Sequence, residues 1–157
     1  MKKTRIIFTF IMTILGQSLF AQNTNMPQAQ LLAAYYNIKN ALVAGNSSTA
    51  AENAKIFLKT ANSIDYKVIS EGNINILVKD AGAISETKDI KKQREIFANL
   101  SKNMAEVAKV TKLSDAPIYK QYCPMKKAYW LSNEKAIKNP YYGNSMLTCG
   151  NVEETIK

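Results

Sequence analysis

The 157-residue chain carries 21 Lys and Arg against 12 Asp and Glu, for a formal charge of +9, and it contains no histidine. The missing imidazole removes the commonest general base near neutral pH, the commonest metal ligand and any His-based catalytic triad. The lysines are scattered among acidic residues without an arginine cluster or a long basic run. A solvated lysine-rich surface is therefore expected, and nucleic-acid binding is not.

The chain opens Met1-Lys2-Lys3-Thr4-Arg5, continues through an apolar run from Ile6 to Leu15, and reaches Ala21 past Gly16. A cationic start, a short apolar core and a small residue are the order of a secretory signal peptide. About ten apolar residues are too few to cross a bilayer, which takes roughly 20 in a helix. Residues 1–21 are read as a signal peptide cleaved after Ala21, with the remainder periplasmic or secreted and not membrane-bound. Losing Lys2, Lys3 and Arg5 lowers the formal charge from +9 to +6, 18 basic against 12 acidic residues.

Residues 22–27 read as a flexible start, and residues 28–115 as a helical bundle. From Gln28 to Ala44, Leu31, Leu32, Tyr35, Ile38 and Leu42 recur at helical spacing, and Gly45 supplies a stop. Asn46-Ser47-Ser48-Thr49 offers N-caps for a second helix, with Ala50, Ala54, Phe57, Leu58 and Ala61 on one face, ending near Asn62. A third segment over 68–84 places Ile74, Leu77, Val78, Ala81 and Ile84 on a stripe weakened by Gly72 and Gly82. The fourth runs from Asp89 to Leu113, with Ile90, Ile96, Phe97, Leu100, Met104, Val107 and Ala108 as its apolar face. Short connections between four amphipathic segments predict an all-α fold, an antiparallel four-helix bundle.

Residues 116–157 differ in character but belong to the same domain. They hold Pro117, Pro124 and Pro140, Trp130, five of the eight tyrosines and both cysteines. Helical stripes vanish except around Asn133 to Lys138, so an irregular aromatic segment packed on the bundle is expected, with Trp130, Tyr129, Tyr141 and Tyr142 as anchors. Asp115, Glu134, Glu153 and Glu154 show no pairing suited to acid–base work, and no enzyme activity is expected.

Two mirrored motifs carry the available chemistry: Cys123-Pro124-Met125 and Met146-Leu147-Thr148-Cys149. Without histidine, thiolate and thioether are the soft donors present, and such donors select Cu(I) and similar ions. Cys123, Met125, Met146 and Cys149 would fill one such site, with Lys120, Lys126 and Lys127 nearby to favour thiolate. The competing reading is a Cys123–Cys149 disulfide, which spacing alone favours in an exported chain.

The strings Tyr122-Cys123-Pro124-Met125, Trp130-Leu131-Ser132, Ile137-Lys138-Asn139-Pro140-Tyr141-Tyr142-Gly143 and Met146-Leu147-Thr148-Cys149-Gly150 resemble the C-terminal signature of a bacterial domain-of-unknown-function family, number 3347. Arg94, Phe97, Leu100 and Ser101 resemble its pattern within the bundle. The resemblance implies an exported helical module found alone or fused to periplasmic adaptor subunits of heavy-metal RND efflux systems. The Cys-Pro-Met string also looks like metal-binding tags attached to copper-transporting ATPases. That context shifts the balance from the disulfide towards Cu(I) or Ag(I) held by Cys123, Met125, Met146 and Cys149, with an efflux adaptor or copper ATPase as partner. The sequence departs from the family at Lys126-Lys127-Ala128-Tyr129, which is shortened, and in lacking a nearby histidine.

Overall fold

A computed structural model of the chain describes residues 26–157. The expected signal peptide, residues 1–21, and residues 22–25 of the expected flexible start lie outside the described residues, while Pro27 at its end already belongs to a helix. Four helices form: α1 Pro27–Val43, α2 Ser47–Ala61, α3 Glu71–Glu86 and α4 Ile90–Val110. Among the described residues no helix is long and apolar enough to cross a membrane.

Local chemistry sets the helix ends. Pro27 opens α1. Gly45, at φ +71°, and Asn46 close it by donating their N–H groups to Leu42 and Ala41 carbonyls at 3.2 and 2.9 Å. That pair of bonds is a Schellman motif, which needs a left-handed residue where Gly45 stands. Asn46 then caps α2 through Thr49 N–H, and Asp89 caps α4 through the N–H groups of Lys91 and Lys92. Ser70 caps α3, which starts at Glu71 and not at Val68 because Val68 and Ile69 are held in a turn by the Asp65 carbonyl. Gly72 and Gly82 are accommodated inside α3, and the stripe residues Ile74, Leu77, Ala81 and Ile84 are buried as their spacing requires.

Each helix packs mainly on its neighbour in sequence, and α1 meets α4 only lightly. A buried amide ties three of the four together. Gln93 of α4 donates to the carbonyls of Ser47, Ile84 and Thr87 at 2.9, 3.3 and 2.7 Å.

The all-α expectation is overturned beyond residue 116. The tail folds into a three-stranded antiparallel sheet, β1 Ile118–Cys123, β2 Ala128–Ser132 and β3 Asn151–Ile156, in the order β2-β1-β3. The fold is therefore mixed, four helices followed by a sheet. The aromatic and β-branched residues of β1 and β2 suit a pleated surface. A four-residue turn over Pro124–Lys127 joins them, with Lys127 at φ 54° supplying its left-handed position. No helix forms at 133–138, where Gln121 Nε2 instead gathers the carbonyls of Glu134, Lys135 and Ala136 at 2.8, 3.2 and 3.3 Å.

The sheet docks through β2. Trp130 and Leu131 are fully buried, and the Leu131 N–H donates to the Tyr35 hydroxyl at 3.0 Å. Tyr35 in turn shares a 2.7 Å hydrogen bond with Ser101 of α4. An aromatic series continues the joint: Tyr35 stacks on Phe97, Phe97 meets Tyr141, and Tyr141 meets Trp130 edge-on, with centroids 5.2, 6.2 and 6.0 Å apart. The expected anchoring of the tail by aromatics thus holds for Trp130 and Tyr141. The Trp130 indole N–H, however, is buried without an acceptor.

Candidate dithiol site

Cys123 is the last residue of β1, fully buried opposite Ala128. Its partner thiol arrives from 26 positions later by way of sheet register. β3 begins at Asn151, paired with Tyr122, so Cys149 and Gly150 run beside the end of β1. Gly150 is indispensable to that approach. Its φ is +147°, and a Cβ there would lie 2.7 Å from the Tyr122 carbonyl oxygen and 2.9 Å from the Trp130 ring.

A second device aims the Cys149 segment. Buried Asn139 donates its side-chain N–H to the Cys149 carbonyl at 2.7 Å and its backbone N–H to Leu147 at 2.8 Å. Its side-chain oxygen accepts from Tyr141 N–H at 2.8 Å. One residue, through its side chain and its backbone, therefore fixes the loop that carries Cys149 at two points.

The thiols of Cys123 and Cys149 are unjoined, and Cys123 lies close enough to act on the Cys149 thiol. Burial pushes the Cys149 thiol up from its ordinary value, and the neighbouring Cys123 thiol adds to the rise, while the Met125 backbone N–H opposes it. The net direction is opposite to the thiolate-favouring effect expected from Lys120, Lys126 and Lys127. Lys120 is engaged elsewhere, 3.4 Å from Glu154 and 4.3 Å from the centre of the Tyr129 ring.

The two candidate thioethers are placed differently. Met125 is 65% exposed on the β1–β2 turn. Met146 is half-buried at the end of a short 3-10 turn over Gly143–Ser145. Among the described residues no three His, Cys, Asp or Glu side chains gather into a cation site. A metal here would take two thiolates and complete its shell with softer neutral donors. Asn139 and Gln121 carry no chemistry of their own; the Asn139-Pro140 turn signal hinted at the first, and nothing in the sequence marked Gln121, set mid-strand in β1.

The arrangement defines a class, a four-helix domain whose C-terminal sheet brings a buried thiol, Cys123, beside a half-exposed one, Cys149. Residues 31–116 match the family described as protein of unknown function (DUF3347), and the chain belongs to that family. The matched span covers nearly all of the helical part and ends before β1. Arg94, Phe97, Leu100 and Ser101 fall within it: Arg94 donates to the Leu42 carbonyl, Phe97 and Leu100 are buried, and Ser101 binds Tyr35. Neither a curated protein nor a solved structure matches the chain.

Proposed function

We propose that the chain binds one soft monovalent cation, Cu(I) or Ag(I), between Cys123 and Cys149. It works outside the cytoplasm and passes the ion to a heavy-metal efflux component, a periplasmic adaptor of an RND system or a copper ATPase. The observation that carries this reading is the pair of adjacent, unjoined thiols, Cys123 in the core and Cys149 half-exposed at its edge. Two thiolates satisfy a soft d10 ion, and the absence of histidine leaves sulfur as the donor of choice. The Met125 and Met146 thioethers are the further donors this reading assigns, Met125 lying where an incoming or departing ion first meets the protein. Export rests on the signal peptide read in residues 1–21, and the efflux partner on the resemblance of the tail motifs.

Thiols must lose their protons to bind metal, so loading releases up to two protons. Because burial holds the Cys149 thiol above its ordinary value, apparent affinity falls as pH is lowered, roughly tenfold per unit for each proton released. The test is an anaerobic Cu(I) titration against a competing chelator. One equivalent is expected, lost in Cys123→Ser/Cys149→Ser and weakened in Met125→Leu. Unchanged binding by the double serine variant ends the proposal.

The same contact suits a second reading, a non-metal interaction domain stapled by a Cys123–Cys149 disulfide. Such a bond would close a loop worth about 3 kcal/mol on the chain-entropy estimate. Counting free thiols in denatured, freshly exported protein separates the two. Two thiols favour metal and none favours the staple.

A further inference from the structure

A cavity of about 260 Å³ lies between α4 and the tail, lined by Lys91, Arg94, Glu95, Lys126, Tyr141 and Tyr142. Three cations and one carboxylate give it a net positive lining. Among the described residues, none of Lys91, Arg94 and Lys126 takes part in a salt bridge.

Arg94 is the unusual member. Its Nη2 donates to the Leu42 carbonyl at 2.9 Å, at the end of α1. Gly143 backs so closely onto the guanidinium that a Cβ would lie 2.7 Å from that nitrogen. The group is thereby held in place, yet its Nε–H is buried with no acceptor. A buried donor without a partner costs about 1–3 kcal/mol, more for a charged group, so the guanidinium is held at a cost and its remaining N–H groups are what it can offer an anion in the cavity. Burial also lowers the Arg94 pKa, the sign of a cation short of compensating charge.

The opposite wall is aromatic. The Tyr141 hydroxyl is committed to the Tyr129 carbonyl and so offers the cavity no free donor. The space is partly open to solvent and far exceeds what a single water needs, about 10–15 Å³ on the same measure, so it has room for a small organic ligand.

We propose that this cavity binds a small aromatic or apolar anion, its carboxylate or phosphate seated among Lys91, Arg94 and Lys126 and its body against Tyr141 and Tyr142. The site is separate from the thiol pair, although Lys126 and Met125 share one turn.

Amide NMR titrations at fixed ionic strength test it, using benzoate, phenyl phosphate and inorganic phosphate as probes. Saturable shifts are expected at Lys91, Arg94, Lys126, Tyr141 and Tyr142, with at least one aromatic anion binding threefold or more tighter than inorganic phosphate. Which of benzoate and phenyl phosphate binds better tells whether carboxylate or phosphate is preferred. Lys91→Gln/Lys126→Gln should weaken binding at least tenfold. Lys55→Gln/Lys59→Gln, which removes the same charge from α2, should leave it within twofold. Shifts that grow linearly without saturating, or equal loss in both double variants, overturn the proposal. Repeating the titration on Cys123→Ser/Cys149→Ser keeps its outcome independent of the metal reading.

Discussion

The helical part and the sheet part of this domain are specified in different ways. In residues 27–110, each helix packs on its sequence neighbour, and its ends are set by residues a few positions away, such as Asn46, Ser70 and Asp89. In residues 118–156, order comes from side chains that reach across the chain to backbone groups. Gln121 gathers three carbonyls, Asn139 holds the Cys149 loop, and Tyr35 of α1 receives the Leu131 N–H. Local patterning builds the scaffold, and a few long-range polar contacts place the thiols on it.

The contrast predicts that single changes at the joint are felt through the whole tail. Trp130→Ala should have the largest effect, about 3–5 kcal/mol by chemical denaturation, because a fully buried indole shared by β2, Tyr141 and Gly150 is lost. Trp130→Phe should cost less than half as much, since it also removes a buried N–H that has no acceptor. Gly150→Ala should follow at about 1–3 kcal/mol from backbone strain, with added cost from the carbonyl contact. Its distinctive readout is a separation of the thiols, seen as slower oxidative cross-linking of Cys123 to Cys149. If Gly150→Ala leaves cross-linking unchanged, register does not bring the thiols together.

Tyr35→Phe should cost about 1–2 kcal/mol, leaving Ser101 and the Leu131 N–H without their shared partner. Amide exchange of Leu131 should quicken more than that of α2 or α3; uniform quickening would mean that the two regions open as one unit.

A pH-dependent effect concerns Lys39, 2% exposed in α1, with the Ser132 hydroxyl at 3.4 Å as its hydrogen-bond acceptor. Burial lowers its pKa to about 8, with Glu134 opposing and Lys138 reinforcing the shift. Because the folded value lies below the unfolded one, the unfolded state holds more protons between about pH 8 and 10.5. The penalty for burying the charge is complete below about pH 8 and is relieved as pH rises through that window. The stability difference between wild type and Lys39→Met should therefore change in favour of wild type from pH 8 to 10.5. A difference independent of pH would mean that Lys39 keeps its proton throughout.

Legibility in the sequence follows the same division. Helix positions were readable because apolar stripes, Gly45 and the Asn46 and Asp89 caps all act within a turn or two. The third helix begins later than its stripe suggests, since the Asp65 turn that captures Val68 and Ile69 looks like the start of that stripe. The sheet was missed for physical reasons. β3 reads Asn-Val-Glu-Glu-Thr-Ile, exposed along nearly all its length, so no burial imprints an alternation. β1 buries Ile118, Gln121 and Cys123, a pattern broken by the register shift between Lys120 and Gln121. At the candidate site, the mirrored cysteine motifs pointed to a meeting that the register of β3 on β1 brings about. The clasp by Asn139 and the bracing by Gln121 have no period or spacing to reveal them.

The chain's one tryptophan occupies the same face of the sheet as Cys123, and its ring abuts the glycine beside Cys149. The protein thus carries its own fluorescent gauge. Heavy-atom capture or sulfur oxidation at the pair should alter indole emission, so events at these two sulfurs can be followed in unlabelled material, on the timescale at which they happen.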